Sequence, residues 1–160
     1  MKAAQIVDFK KPYKIQSVPT PTQLKPYEML IRVAVASFCH TDSMLSEGIF
    51  PVPLPVTASH EGAGTVVLTG SDVKDFKSGD RILVGMMHQR CYNCSDCKGS
   101  EPQYCSVVRR PGASVDGSFA EYQVVDARET SLLPDNLTFV SAAPLACAGK
   151  SDFACNEIFP

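Results

Sequence analysis

The chain has 160 residues, 44% hydrophobic and 20% charged, which is enough core for one globular domain of ordinary composition. A formal net charge of −2 removes the electrostatic case for nucleic acid or an anionic membrane surface as partner. No apolar run reaches membrane-spanning length, and Gln5 and Asp8 interrupt the start before a signal-peptide core could form, so a soluble cytoplasmic protein is expected.

The first two-thirds reads as mainly β. Ala3 to Val7, Tyr13 to Val18 and Met29 to Ala36 are apolar or β-branched segments set apart by Pro- and Lys-rich turns. The third is nearly continuous in its apolar character, as for a strand covered on both faces. A short helix is predicted after Cys39, with Thr41 or Asp42 near its cap and Gly48 at its end. Phe50 to Val56, with proline at every second position, must be extended and reads as a stiff surface loop. Further strands are predicted at Gly64 to Leu68, Arg81 to Val84 and Phe119 to Val125, the second entered through a Ser78-Gly79-Asp80 turn. The tail is helical in character over Thr138 to Leu145 and again over Ala148 to Phe159.

Between the last two strands, Met86 to Val115 has no periodicity, which is unusual for a loop in a compact domain unless something organises it. Cys91, Cys94, Cys97 and Cys105 offer that organiser. Their short spacing lets four thiolates converge on one tetrahedral zinc, with no corner left for water, which is the signature of a structural site. An odd total of seven cysteines and the lack of a secretory start argue against a disulfide scaffold. A redox dithiol would not account for the fourth cysteine of the group.

Cys39, His60, Glu61 and Cys147 form a second, scattered set of metal-type residues. Spacing alone leaves two readings open: buried core cysteines with a hydrogen-bonded histidine, or ligands that the fold gathers.

Six blocks in register resemble the zinc-dependent alcohol dehydrogenases of the medium-chain family. They are Cys39-His40-Thr41-Asp42, His60-Glu61-Gly62-Ala63-Gly64, Gly79-Asp80-Arg81, the four-cysteine lobe, Asp116 to Tyr122, and Ala142 to Gly149. The resemblance covers nearly the whole chain and implies a GroES-like catalytic domain over 1–160: a partly open β-barrel with a zinc lobe at about 86–115. It implies two zinc ions per chain. Cys39, His60 and Cys147 would hold the catalytic one, leaving an open corner for water or substrate oxygen. Asp42 would orient His60 from behind, Glu61 would ligate transiently, Thr41 would accept the alcohol proton, and His40 would face the cofactor pyrophosphate. The implied reaction is interconversion of a small alcohol with its aldehyde or ketone, using NAD or NADP held by a dinucleotide-binding domain.

The sequence departs from that family in several places. Met44 stands where a relay histidine is frequent, Ser59 replaces the glycine before the zinc histidine, and Lys150-Ser151 replaces a small apolar residue and threonine. The 160 residues contain no G-x-G-x-x-G element, because Gly62 and Gly64 are followed by Val67 and run into a strand. Those two glycines are read instead as backbone passing close to the zinc site. The dinucleotide-binding domain is therefore expected to be absent from this chain, and the barrel to lack closing strands. An exposed edge would invite a second copy or a partner chain to complete it. Two other functions stand beside the dehydrogenase reading: a stand-alone Lewis-acid zinc enzyme (hydration, elimination or isomerisation) and a non-catalytic remnant. Cys155 is unassigned.

Overall fold

A computed structural model describes residues 1–99 and 101–149. Among these residues, eight short strands form two antiparallel sheets. In the first, β1 (Lys2–Ile6) lies between β2 (Lys14–Ser17) and β4 (Val56–Thr57). In the second, the order is β7 (Tyr122–Asp126), β3 (Glu28–Ala36), β5 (Gly62–Thr69), β6 (Arg81–Leu83), β8 (Ser131–Leu132). The sheets meet at one seam, where the Ala4 amide donates to the Phe119 carbonyl at 2.7 Å and the Glu121 amide to the Lys2 carbonyl at 3.0 Å. The result is a partly open barrel.

The seam explains why the last predicted strand begins late. Residues 119–121 bond to β1, Glu121 also accepts from the Val33 amide of β3, and from Tyr122 the chain pairs with β3 in register, so one run serves two sheets. The covered strand is also only half covered. Glu28, Met29, Leu30 and Ile31 are buried in succession, whereas Arg32 and Ala34 are exposed over an open groove. Register shifts against β5 at Leu30/Ile31 and Val33/Val35 mark that change in environment.

Met29, Ile31, Val66, Ile82, Val84 and Val125 form the main core cluster. Ile6, Leu45, Val56 and Ala58 form a second, which seats α1 (His40–Ser46) through Leu45. Ala63, Leu133, Ala142 and Ala143 form a third, which seats α3 (Phe139–Ala142) and the 3₁₀ turn Ala143–Ala146 that delivers Cys147. Thr138 caps α3 by accepting from the Ser141 amide at 3.1 Å.

Gly62 and Gly64 do mark close approaches, but their nearest neighbours lie elsewhere than the expected metal site. A Cβ on Gly62 would meet Ser118 Oγ at 2.2 Å, and one on Gly64 would meet the Arg32 carbonyl oxygen at 2.3 Å. Strand packing sets both positions. Of the predicted helix Ala148 to Phe159 only Ala148 and Gly149 fall among the described residues, both helical; Lys150, Ser151 and Cys155 lie outside them.

Candidate metal centres

The four-cysteine lobe is built from turns rather than from burial. After Cys91 the chain passes Tyr92 at φ 56°, enters the four-residue helix α2 (Ser95–Lys98) capped by Cys94, and returns through the 3₁₀ turn Pro102–Tyr104 to Cys105. Each of the four cysteines offers a sulfur within 4.8 Å of the others. Amides point at the sulfurs: Asn93 and Cys94 donate to Cys91 Sγ at 3.4 and 3.2 Å, and Cys97 donates to Cys94 Sγ at 3.5 Å. The amides of Asn93 and Cys94 draw the Cys91 thiol down to about 6. Lost hydration and the Cys105 thiol push Cys97 up to about 12. Four adjacent thiolates repel one another without a cation, and the donor set and spacing fit a closed tetrahedral zinc.

The lobe is fastened to the barrel at its base. His88 and Arg109 exchange two backbone hydrogen bonds of 2.8 Å. Gln89 donates to Glu28 Oε1 at 2.7 Å and, through its amide, to Asp126 Oδ2 at 3.1 Å. Arg90 pairs with Glu129 at 2.5 Å, and Tyr92 also hydrogen-bonds that carboxylate. The Arg128 guanidinium lies over the Tyr27 and Tyr92 rings, at 4.3 and 4.1 Å from their centroids.

The second cluster is assembled from three distant segments. Cys39 precedes α1, His60 and Glu61 precede β5, and Cys147 follows the 3₁₀ turn at the end of the third core cluster. These four residues each offer a ligand atom within 4.8 Å of the others, and the Cys39 and Cys147 sulfurs are 4.0 Å apart. Among the described residues His60 Nε2 is buried without a hydrogen-bond partner, an arrangement that is costly unless an ion takes the lone pair. Two thiols, an imidazole and a carboxylate so arranged fit zinc. Burial, then the neighbouring Cys39 charge, pushes the Cys147 thiol up to about 11.

Asp42 is fully buried at the third position of α1. Its carboxylate accepts from the Cys39 amide and from the Ser59 amide, each at 2.9 Å, and so ties together the two segments that carry Cys39 and His60. Thr41 Oγ1 lies 3.7 Å from Cys39 Sγ. Thr41 and His60 line a cleft of about 600 Å³ whose walls include Met44, Phe50, Val52 and Met86. His40 opens α1 and is exposed.

The Cys97 and Cys147 thiols hold their protons at pH 7 when no metal is present, and zinc binds thiolate. Adding zinc to metal-free protein at pH 7 is therefore expected to release at least one proton from each site. The metallated form carries fewer protons, so affinity should rise with pH. Indicator-dye titration checks this, and metal uptake with no acidification would contradict it.

A partly open barrel with a short cysteine-rich lobe and a second donor cluster at the end of β3 defines a GroES-like domain. The family described as "Alcohol dehydrogenase GroES-like domain" matches residues 25–135, and the chain belongs to it. An alcohol dehydrogenase of Geobacillus stearothermophilus is 36% identical over 160 residues, covering 99% of this chain and 47% of that protein. One of Rhizobium meliloti (strain 1021) is 38% identical over 151 residues, covering 93% and 44%. The structure of the alcohol dehydrogenase from Aeropyrum pernix superposes with a TM-score of 0.91 at 28% identity, covering 99% of this chain and 48% of that one. A putative zinc-binding dehydrogenase from Sinorhizobium meliloti 1021, bound to NADP, gives 0.79 at 32% identity, covering 96% and 45%. The chain thus spans about half the length of the curated relatives it matches.

Two features of the second cluster had little or no sequence signal. Ser37 Oγ donates to Glu61 Oε2 at 2.7 Å, and nothing in the residues around Ser37 announces it. Ser59 has φ 71°, a left-handed conformation that suits glycine, and its presence in place of a family glycine was the one available hint. Among the described residues no helix is long and apolar enough to cross a membrane.

Proposed function

We propose that this chain is the catalytic domain of a zinc-dependent alcohol dehydrogenase, interconverting a small alcohol and its carbonyl compound with NAD or NADP held by a dinucleotide-binding domain. On this reading residues 1–160 form one domain, with the lobe at about 86–115 holding a structural zinc through Cys91, Cys94, Cys97 and Cys105. Cys39, His60 and Cys147 hold the catalytic zinc. The observation that carries the reading is the convergence of those three side chains, with His60 Nε2 given no other partner by the described residues, beside a cleft that Thr41 also lines.

When bound, zinc supplies a Lewis acid that eases loss of the alcohol proton and polarises a carbonyl. The chain's own residues do the rest. Asp42 holds the Cys39 and His60 segments in register. Thr41 Oγ1 accepts a hydrogen bond from the substrate hydroxyl and relays the proton, giving up its own as it takes the substrate's. Met44, Phe50, Val52 and Met86 give the cleft an apolar wall that excludes water and seats a hydrocarbon body. Met44 cannot carry a proton onward, so solvent water is the acceptor of the proton that Thr41 gives up. His40, exposed at the start of α1, faces the cofactor pyrophosphate. A thiol-rich chain of this kind belongs in the reducing cytoplasm. A second copy or a partner chain completes the open barrel.

The test is metal stoichiometry with and without Cys147. Wild-type protein is expected to hold two zinc ions per chain, and Cys147→Ser one, with an unchanged circular dichroism spectrum. In the protein that joins this chain to a dinucleotide-binding domain, the same substitution should abolish alcohol-dependent reduction of NAD or NADP. Unaltered zinc content in Cys147→Ser would remove the second site and the enzymatic reading with it.

A further inference from the structure

Glu61 is a buried carboxylate beside three metal-type donors, and left free it would grip the fourth position of any ion they bind. It is not left free. Ser37, just beyond β3, donates its hydroxyl to Glu61 Oε2 at 2.7 Å and its amide to the Glu61 carbonyl at 2.9 Å. The Ser37 carbonyl in turn accepts from Ser59 Oγ at 3.0 Å, and Ser59 Oγ accepts from the Glu61 amide at 3.2 Å. Two serines and the glutamate therefore close a ring of four hydrogen bonds.

The Ser59 corner of that ring is held firmly. Its amide donates to Asp42, its carbonyl accepts from the Ser118 amide at 2.9 Å, and it is fully buried. Gly112 and Gly117 press against its backbone so closely that a Cβ on Gly117 would lie 1.9 Å from the Ser59 carbonyl oxygen. A serine keeps φ 71° only where its surroundings over-determine it, and here the side chain that glycine would lack makes two of the four bonds.

We infer that Ser37 and Ser59 are positioning residues that hold one carboxylate oxygen of Glu61 in hydrogen bonds, so that Glu61 grips the fourth coordination position weakly and substrate oxygen can displace it. The inference rests on the assignment of Cys39, His60 and Cys147 as metal ligands. A hydroxyl donating to a carboxylate competes directly with a cation for the same lone pairs. Without Ser37 Oγ, Glu61 can turn both oxygens to the ion, and an incoming ligand must displace both.

The experiment uses the chain loaded with cobalt(II), whose visible absorption reports the number and kind of ligands, with imidazole as the incoming ligand. Ser37→Ala is expected to change the cobalt spectrum toward a more saturated site, to slow removal of cobalt by a chelator, and to weaken imidazole binding about tenfold. Ser59→Gly, which relieves the left-handed strain but loses the bridging hydroxyl, should move the same readouts in the same direction. Ser37→Thr keeps the hydroxyl and should restore wild-type behaviour. Adding Glu61→Ala to Ser37→Ala should recover imidazole affinity, because the competing carboxylate is gone. Wild-type spectrum and imidazole affinity in Ser37→Ala overturn the inference, as does a loss that Glu61→Ala fails to reverse. Failure of the underlying assignment looks different: cobalt uptake and absorption in wild-type protein would then be insensitive to Cys147→Ser.

Discussion

Cys105→Ser is expected to unfold the lobe, lose one metal ion per chain and open residues 91–105 to proteolysis. Cys105 is the buried cysteine of the four, and it receives the Cys91 amide at 3.5 Å across the base of the lobe. None of the three core clusters contains a residue between Cys91 and Cys105, so burial contributes little to holding this segment. On the proposed reading the organising free energy comes from a bound ion, and structural zinc in finger peptides supplies apparent values of about 10–16 kcal/mol at neutral pH. Replacing one thiolate removes a large share of that. The anchors beneath the lobe, Arg90 with Glu129 and Arg128 over Tyr27 and Tyr92, hold only its two stems. Chelation of the wild-type protein should reproduce the effect. Limited proteolysis with mass analysis reads both, and a cleavage pattern identical to the metallated wild type would show that the lobe stands without its metal.

Asp42→Ala should cost the barrel roughly 2–5 kcal/mol, since two amides, the buried one of Ser59 and the partly buried one of Cys39, each lose their acceptor. The substitution also frees the Cys39 segment from the His60 segment, so metal should be lost from the second cluster and kept in the lobe. Asp42→Asn is instructive because an amide offers one acceptor and one donor where two acceptors are needed. It should fall close to alanine in stability. Denaturant unfolding gives the first quantity and metal analysis the second. Full metal content in a destabilised Asp42→Ala protein would confine Asp42 to a purely structural part.

The strands were legible where an apolar run meets its own turn signals, as in β1, β3 and β5. The two-residue strands β4 and β8 were not, because each exists only as a pairing, Gln5–Thr57 in one case and Ile82–Leu132 in the other. No pair of residues carries a period. The lobe could be read from spacing, since short loops leave four thiols few other arrangements. The second cluster could not. Its donors come from three segments whose approach depends on the third core cluster and on Asp42, so only resemblance pointed to it. The Ser37–Glu61 bond belongs to the same class: serine is common at strand ends, and its partner stands 24 positions away. The glycines at 62 and 64 read as backbone passing close to the zinc site; the close approaches they permit are to Ser118 and the Arg32 carbonyl, neighbours that sequence order conceals.

The two donor sets differ in how much chain they enclose. The lobe's sulfurs close a loop of 14 positions from Cys91 to Cys105, while Cys39 and Cys147 are 108 apart. Ring closure costs more as the ring grows, though slowly, and the longer one also waits on the folding of everything inside it. On the proposed reading, metal is consequently acquired in sequence during biosynthesis: early by the lobe, as a local event on the emerging chain, and later by the cleft, as a clasp between segments 108 positions apart.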